Sequence, residues 1–196
     1  PDSRGFITAD ALEEAIDADT VLVSIQAANS ELGSVEPVRE LAAIAHAHGA
    51  LFHVDATQAL GKMPLDVSEW DVDAASFSAH KVGGPKGIGA LYLRARTPLS
   101  AFQLGGGQES GRRSGTQNVM GAAGFAAACR AVCAMEPEES GRLRELRDEL
   151  YEKLSQVPGV RPTVDVPRGS VDFLPNIVHV IVSDLESETL ILRLDM

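Results

Sequence analysis

Lys81 is the residue whose neighbours best equip it for covalent chemistry. It lies in Ser76-Phe77-Ser78-Ala79-His80-Lys81-Val82-Gly83-Gly84-Pro85-Lys86-Gly87, where a short apolar run gives way to hydroxyl, imidazole and amine and then to a glycine-rich turn. Lysine amines form Schiff bases with aldehydes. A lysine at the end of a buried strand, beside Ser78 and His80 and ahead of several glycines, suits a phosphorylated aldehyde cofactor. Taken alone, Lys81 reads as a surface lysine in a turn; its neighbours shift the reading toward chemistry.

Two other polar groups also follow apolar runs. Asn29 and Ser30 come after Thr20–Gln26, and Asp55 and Gln58 come after Leu51–Val54. In an open α/β sheet, ligands bind outside the carboxyl ends of parallel strands. Three such ends would therefore converge on one crevice. Each residue type fits a task on pyridoxal phosphate. Lys81 would bond the aldehyde, and Asp55 would pair with the pyridinium nitrogen and keep the ring an electron sink. Gln58 would donate to the ring hydroxyl, and Ser78 and His80 would hydrogen-bond the phosphate. Simpler roles compete: a turn cap for Asp55, local turn bonds for Gln58 and Ser78, and a satisfied strand histidine for His53.

The elements that must position these residues follow from the apolar pattern. Thr8 predicts a helix cap ahead of Ala9–Asp17. Thr20–Gln26 and Leu51–Val54 read as buried parallel strands, with a helix from Val38 to His48 between them, making a βαβ unit. Asp73–Phe77 and Ile88–Leu93 read as further strands. Strands this short and apolar are expected to be buried on both faces, giving an α/β fold: a mostly parallel sheet with helices on both sides. Leu104–Gly115 reads as a glycine-rich loop carrying Arg112 and Arg113, and Gln117–Met135 as an alanine-rich helix. Glu136-Pro137-Glu138-Glu139 joins a proline to a charge run and predicts a boundary between two helices. In the second, Ser140–Gln156, leucines at 143, 146, 150 and 154 form an apolar stripe. An irregular proline-rich stretch, a strand Ile177–Val182 and an amphipathic helix from Glu186 to Met196 complete the pattern.

Composition narrows the classes of function. The 196 residues carry a formal charge of −11, with 28 acidic against 17 basic side chains, which argues against nucleic acid as the main partner. Hydrophobic residues make up 44%, enough for a sizeable core. No run of about 20 apolar residues and no signal peptide stand out. The two cysteines, Cys129 and Cys133, share one helix face and read as small core residues rather than a metal pair. They form no disulfide framework, so a reducing, cytoplasmic location is expected. The chain opens on Pro1 and ends in a helix without a stop signal, which reads as an internal piece of a longer protein.

The stretches His53-Val54-Asp55-Ala56-Thr57-Gln58-Ala59-Leu60-Gly61-Lys62 and Ser76–Leu93 together resemble the pyridoxal phosphate core of cysteine desulfurases, in the class V aminotransferase group of fold-type I enzymes. The similarity continues through Gly105–Thr116 and Leu174-Pro175-Asn176-Ile177. The resemblance implies the same roles for Lys81, Asp55, Gln58, Ser78 and His80, with His80 also available for proton transfer. It further implies a phosphate-binding turn at Thr57 and a phosphate contact from Thr116 to the other subunit of a homodimer. Arg113, in the same loop, is open to a site role or a loop-supporting one. Ser30 stands where the family commonly has a ring-contacting asparagine, with Asn29 one place earlier.

The family's persulfide-forming cysteine and its substrate-carboxylate arginine are expected beyond Met196. Residues 1–136 would complete a cofactor-binding large domain, and 137–196 would open a smaller α/β domain. The activity implied is conversion of L-cysteine to L-alanine, with sulfur passed to an enzyme cysteine persulfide. A sulfur-acceptor or scaffold protein would then take it for iron–sulfur assembly or tRNA thiolation. A selenocysteine lyase, a class V transaminase and a catalytically dead scaffold are the alternatives.

Overall fold

A computed structural model describes residues 1–195. Helix α1 (Ala9–Ala15) leads into strand β1 (Leu22–Gln26), helix α2 (Val38–Ala47) and strand β2 (Leu51–Asp55). Strands β3 (Ala74–Ser78) and β4 (Gly89–Leu93) flank a short 3-10 helix, Ala79–Val82. Helix α3 (Val119–Ser155), strands β5 (Val160–Pro162) and β6 (Val180–Val182), and helix α4 (Ser187–Leu194) follow. The expected extension of α4 to Met196 lies outside the described residues. Thr8 caps α1, its hydroxyl accepting from the Ala11 N–H at 3.2 Å.

The main sheet runs β1-β2-β3-β4, parallel across the first three strands and antiparallel between β3 and β4. Its register sets Gln26 beside Asp55 and Asp55 beside Ser76. The α/β class and the βαβ unit are as the apolar runs predict. Burial alternates along the strands, however. Val23, Phe52, Val54 and Ala75 are buried with Leu12, Ile16, Val38, Leu41 and Ala45 of the two helices. The opposite sheet face carries Leu22, Ser24 and Gln26, which are exposed, and half-buried His53 and Ser76. Among the described residues the helices cover one face, and the strands accordingly show the two-residue period of a half-covered sheet.

Asp73 ties the sheet edge to α2. It is buried, its Oδ2 accepts from the Phe52 N–H at 2.8 Å, and it lies 2.8 Å from His46 Nε2. A buried carboxylate with two donors is satisfied rather than stranded.

The C-terminal part departs from the sequence pattern in four ways. The two helices expected on either side of Glu136–Glu139 are one 37-residue helix that carries Pro137 inside it. Proline removes one donor, and Pro137 is exposed, where water can satisfy the carbonyl left over. The leucine stripe is not the buried face: Leu146 and Leu150 are 47% and 44% exposed, while Ser140, Arg147, Asp148 and Tyr151 are buried. The stretch after Pro158 contains β5, paired antiparallel with β6. Contrary to the sequence reading, α3 is also long and apolar enough, by length and composition, to cross a membrane. Its Phe125, Ala128, Cys129 and Val132 instead pack on Ala79 and Val82.

Arg147 is 2% exposed and joins α3 to the segment before β6. Its Nε and Nη2 bond Asp148 Oδ1 at 3.0 and 2.9 Å, and its other protons reach the carbonyls of Phe173 at 2.9 Å and Ser170 at 3.1 Å. Asp148 Oδ2 in turn accepts from the Gly169 N–H at 2.6 Å. The same segment pairs with the loop after β1: Leu174 N–H donates to Gly33 O at 2.7 Å, and Val35 N–H to Asp172 O at 2.9 Å.

Candidate active site

The carboxyl ends of β1, β2 and β3 carry the polar residues the sequence singles out. Backbone bonds lock these ends together: Ala27 N–H donates to Asp55 O at 2.8 Å, and Ala56 N–H to Ser76 O at 3.0 Å. Asp55 is exposed at the middle strand end, and its Oδ1 accepts from the Thr57 N–H at 3.0 Å. One carboxylate oxygen thus braces the turn holding Thr57 and Gln58, and the other makes no hydrogen bond among the described residues. Gln58 Oε1 accepts from Lys62 Nζ at 2.6 Å.

At the third strand end, Ser78 Oγ and His80 Nδ1 lie 2.7 Å apart. The 3-10 helix Ala79–Val82 ends at Gly83, whose φ of 76° is left-handed. Gly84 N–H closes on Ala79 O at 2.9 Å, and a Cβ at position 84 would come 2.9 Å from that same oxygen. Glycine there lets the turn fold tightly beneath Lys81. The Lys81 side chain is exposed, and its amine has no hydrogen-bond or ion-pair partner among the described residues.

At the first strand end the two candidates separate. Asn29 Oδ1 accepts from the N–H groups of Glu31 and Leu32 at 2.7 and 2.9 Å, so its amide oxygen holds the loop. Ser30 is exposed and its hydroxyl donates to Glu31 Oε1 at 3.3 Å. Thr116 is exposed on the glycine-rich loop and makes no hydrogen bond to the Asp55–Lys81 group among the described residues. That loop is held by its own bonds: Arg113 Nη1 donates to Ser114 O at 2.9 Å, and Ser114 Oγ to Leu104 O at 2.8 Å. Arg113 therefore supports the loop.

His53 is the satisfied strand histidine, bridging Ser24 Oγ at 2.8 Å and Ser76 Oγ at 3.2 Å. Burial pushes its pKa below the ordinary imidazole value of 6.5, with the Asp55 charge pulling weakly the other way. The unfolded chain then binds this proton more readily than the folded one, so stability rises with pH through the interval just below 6.5. We expect the unfolding midpoint of the wild type to fall more between pH 7.5 and 5.5 than that of His53→Gln. Equal losses in the two proteins would refute the assignment.

Two clefts lie away from the strand ends, one by Pro37, Arg39 and Trp70 and another by Tyr151, Pro162 and Arg168. At the strand ends Asp55, His80 and Lys81 are exposed, and Thr57, Gln58 and Ser78 are half-buried. Neither cysteine joins this group through a hydrogen bond. Cys129 is half-buried against Ala79 and Val82, and burial pushes its thiol up, away from the nucleophilic thiolate. Sequence reasoning missed the Lys62–Gln58 contact, although the pair stands at helix-turn spacing, four residues apart.

The family model described as Aminotransferase class-V matches residues 1–195. A cysteine desulfurase IscS of Dictyoglomus turgidum is 40% identical over 199 residues, covering 100% of this chain and 49% of that protein. The chain spans about half the length of the curated relatives it matches. A solved NifS-like protein superposes with a TM-score of 0.89 at 39% identity, over 96% of this chain and 51% of that one. A structure described as SspA in complex with cysteine is 42% identical, with a TM-score of 0.64 over 66% of this chain and 38% of that one.

Proposed function

Since this chain belongs to the class V aminotransferase family, we propose that the whole protein is a cysteine desulfurase working with pyridoxal phosphate. Its substrate is L-cysteine. The products are L-alanine and a sulfur atom carried as a persulfide on an enzyme cysteine: the substrate thiol and the enzyme thiol become one S–SH group, and the carbon that lost sulfur gains a proton. One observation carries this reading. The ends of three adjacent strands present a free amine, a carboxylate, an amide and a serine–histidine pair, and that donor set fits the cofactor group by group.

When bound, pyridoxal phosphate draws electrons away from the substrate α-carbon. Lys81 would hold the aldehyde end through its amine, and its Nζ would be the base for the substrate α-proton. Asp55, one of whose oxygens is engaged by the Thr57 N–H, would pair with the ring nitrogen, and a carboxylate there would favour the protonated ring. Gln58 gives its NH2 to the ring hydroxyl. Ser78, His80 and Thr57 hold the phosphate, and the imidazole of His80 is within reach of proton traffic. Ser30, whose hydroxyl is less committed than the Asn29 amide, serves at the ring edge. Burial and the raised pKa of Cys129 speak against it as the accepting thiol. The sequence of Gly105–Thr116 supports a homodimer in which Thr116 serves the neighbouring subunit's phosphate.

In this reading residues 1–136 belong to the cofactor-binding domain and 137–196 open the smaller one, with α3 running from one into the other. The protein is cytoplasmic, and its persulfide feeds a sulfur-acceptor protein for iron–sulfur assembly or tRNA thiolation. The test is product analysis. Full-length protein given L-cysteine and a thiol reductant is expected to release alanine and sulfide in equal amounts. Formation of a keto acid in place of alanine would assign a transaminase instead.

A further inference from the structure

We propose that Lys62 is a positioning residue for Gln58: its amine takes the amide oxygen, so that Gln58 offers a ligand only its NH2 group. The subsite thereby becomes a pure hydrogen-bond donor, suited to an acceptor or anionic oxygen such as a ring phenolate. This rests on the reading of Gln58 given above. Lysine carries three donors and no acceptor. A Nζ–Oε1 contact of 2.6 Å therefore fixes which end of the amide faces Lys62 and leaves Nε2 as the end with no partner among the described residues.

Lys62 is itself held in place. Its backbone N–H donates to Ala59 O at 3.1 Å, and its carbonyl accepts from Ser140 Oγ at 2.9 Å. Gly61, at φ 69°, lies so close to α3 that a Cβ would stand 2.6 Å from the Val132 side chain. The backbone of Lys62 is thus anchored between the β2 turn and α3, and its amine reaches Gln58. Burial, and secondarily the positive charge of Lys81, lower the Lys62 pKa, which places the two amines in one electrostatic neighbourhood.

The experiment uses full-length protein and pyridoxal phosphate as the probe. Affinity and the visible absorption maximum of the bound cofactor are measured for Lys62→Met, Gln58→Leu and the double variant. Lys62→Met is expected to weaken binding roughly tenfold, the size of one hydrogen bond to a charged group, and to shift the absorption maximum. The double variant should bind no more weakly than Gln58→Leu, because Lys62 acts through Gln58. Wild-type affinity with an unshifted maximum in Lys62→Met overturns the proposal, as does a double variant whose loss is the sum of the singles. Should Lys62→Met fail to fold, Lys62→Gln carries the same comparison, because its amide no longer dictates which end of Gln58 faces it. A wild-type protein that binds no pyridoxal phosphate would take down the site reading and this proposal together. Wild-type binding with an unaffected Lys62 variant removes this proposal alone.

Discussion

Protein carrying Lys81→Ala is expected to lose the absorption band of covalently held pyridoxal phosphate once free cofactor is removed, and to convert L-cysteine at less than about one-thousandth of the parent rate. Proton transfer by a positioned side chain alone contributes roughly 10²–10⁴-fold, and the variant also loses the covalent hold on the cofactor. The fold should be untouched. Lys81 is exposed and its amine bonds to no described residue, while the turn beneath it is built from Ala79, Gly83 and Gly84. Substitutions at such exposed sites usually move stability by no more than about 0.5 kcal/mol. The measurement is therefore an absorption spectrum and a sulfide assay beside a thermal melt. A variant with an unshifted melt that keeps the parent's bound-cofactor band after removal of free cofactor and releases sulfide would end the proposed function.

The largest expected loss of stability comes from Arg147→Met, at about 3–5 kcal/mol, the usual cost of removing one partner from a buried ion pair. The side chains of Arg147 and Asp148 are 1% and 7% exposed. Methionine matches the apolar stem but leaves Asp148 charged and without its guanidinium. It also strips donors from the Phe173 and Ser170 carbonyls. Asp148→Asn should cost less, about 1–3 kcal/mol, because an amide oxygen can still accept from the Gly169 N–H. Urea unfolding of the two variants checks both the size and the order. A loss under about 1 kcal/mol for Arg147→Met would mean that the pair does not hold α3 to its neighbour.

The contrast between Lys81 and Arg147 shows what the sequence could convey. The Lys81 turn is legible because its parts are contiguous: a short apolar run, two polar residues, then glycines. Strands β1 and β2 and helix α2 are legible for the same reason, their apolar positions following one period over five to ten residues. Arg147 looks like one more charge on an amphipathic helix, because its acceptors lie at residues 170 and 173, far along the chain. The leucine stripe misleads for a related reason: between Leu143 and Leu154 the buried residues of α3 are Arg147, Asp148 and Tyr151, and Arg147 is drawn in by the carbonyls of residues 170 and 173. Pro137 reads as a break because proline usually ends a helix, yet one missing donor on an exposed side leaves the flanking turns intact. The polar character of Asn29, Ser30, Asp55, Gln58 and Ser78 after apolar runs is legible in the sequence. Which atoms were already engaged, such as the Asn29 amide oxygen or Gln58 Oε1, depends on loop geometry that residue types do not encode.

The pairing of residues 172–174 with 33–35 has a consequence for the nascent chain. A ribosome delivers the Asn29–Ser30 loop before the 172–174 segment, and chains fold as they emerge. Its backbone partners arrive well over a hundred residues later. Until then the loop lacks its flanking bridge, and the end of β1 waits on a segment made after β2, β3 and β4.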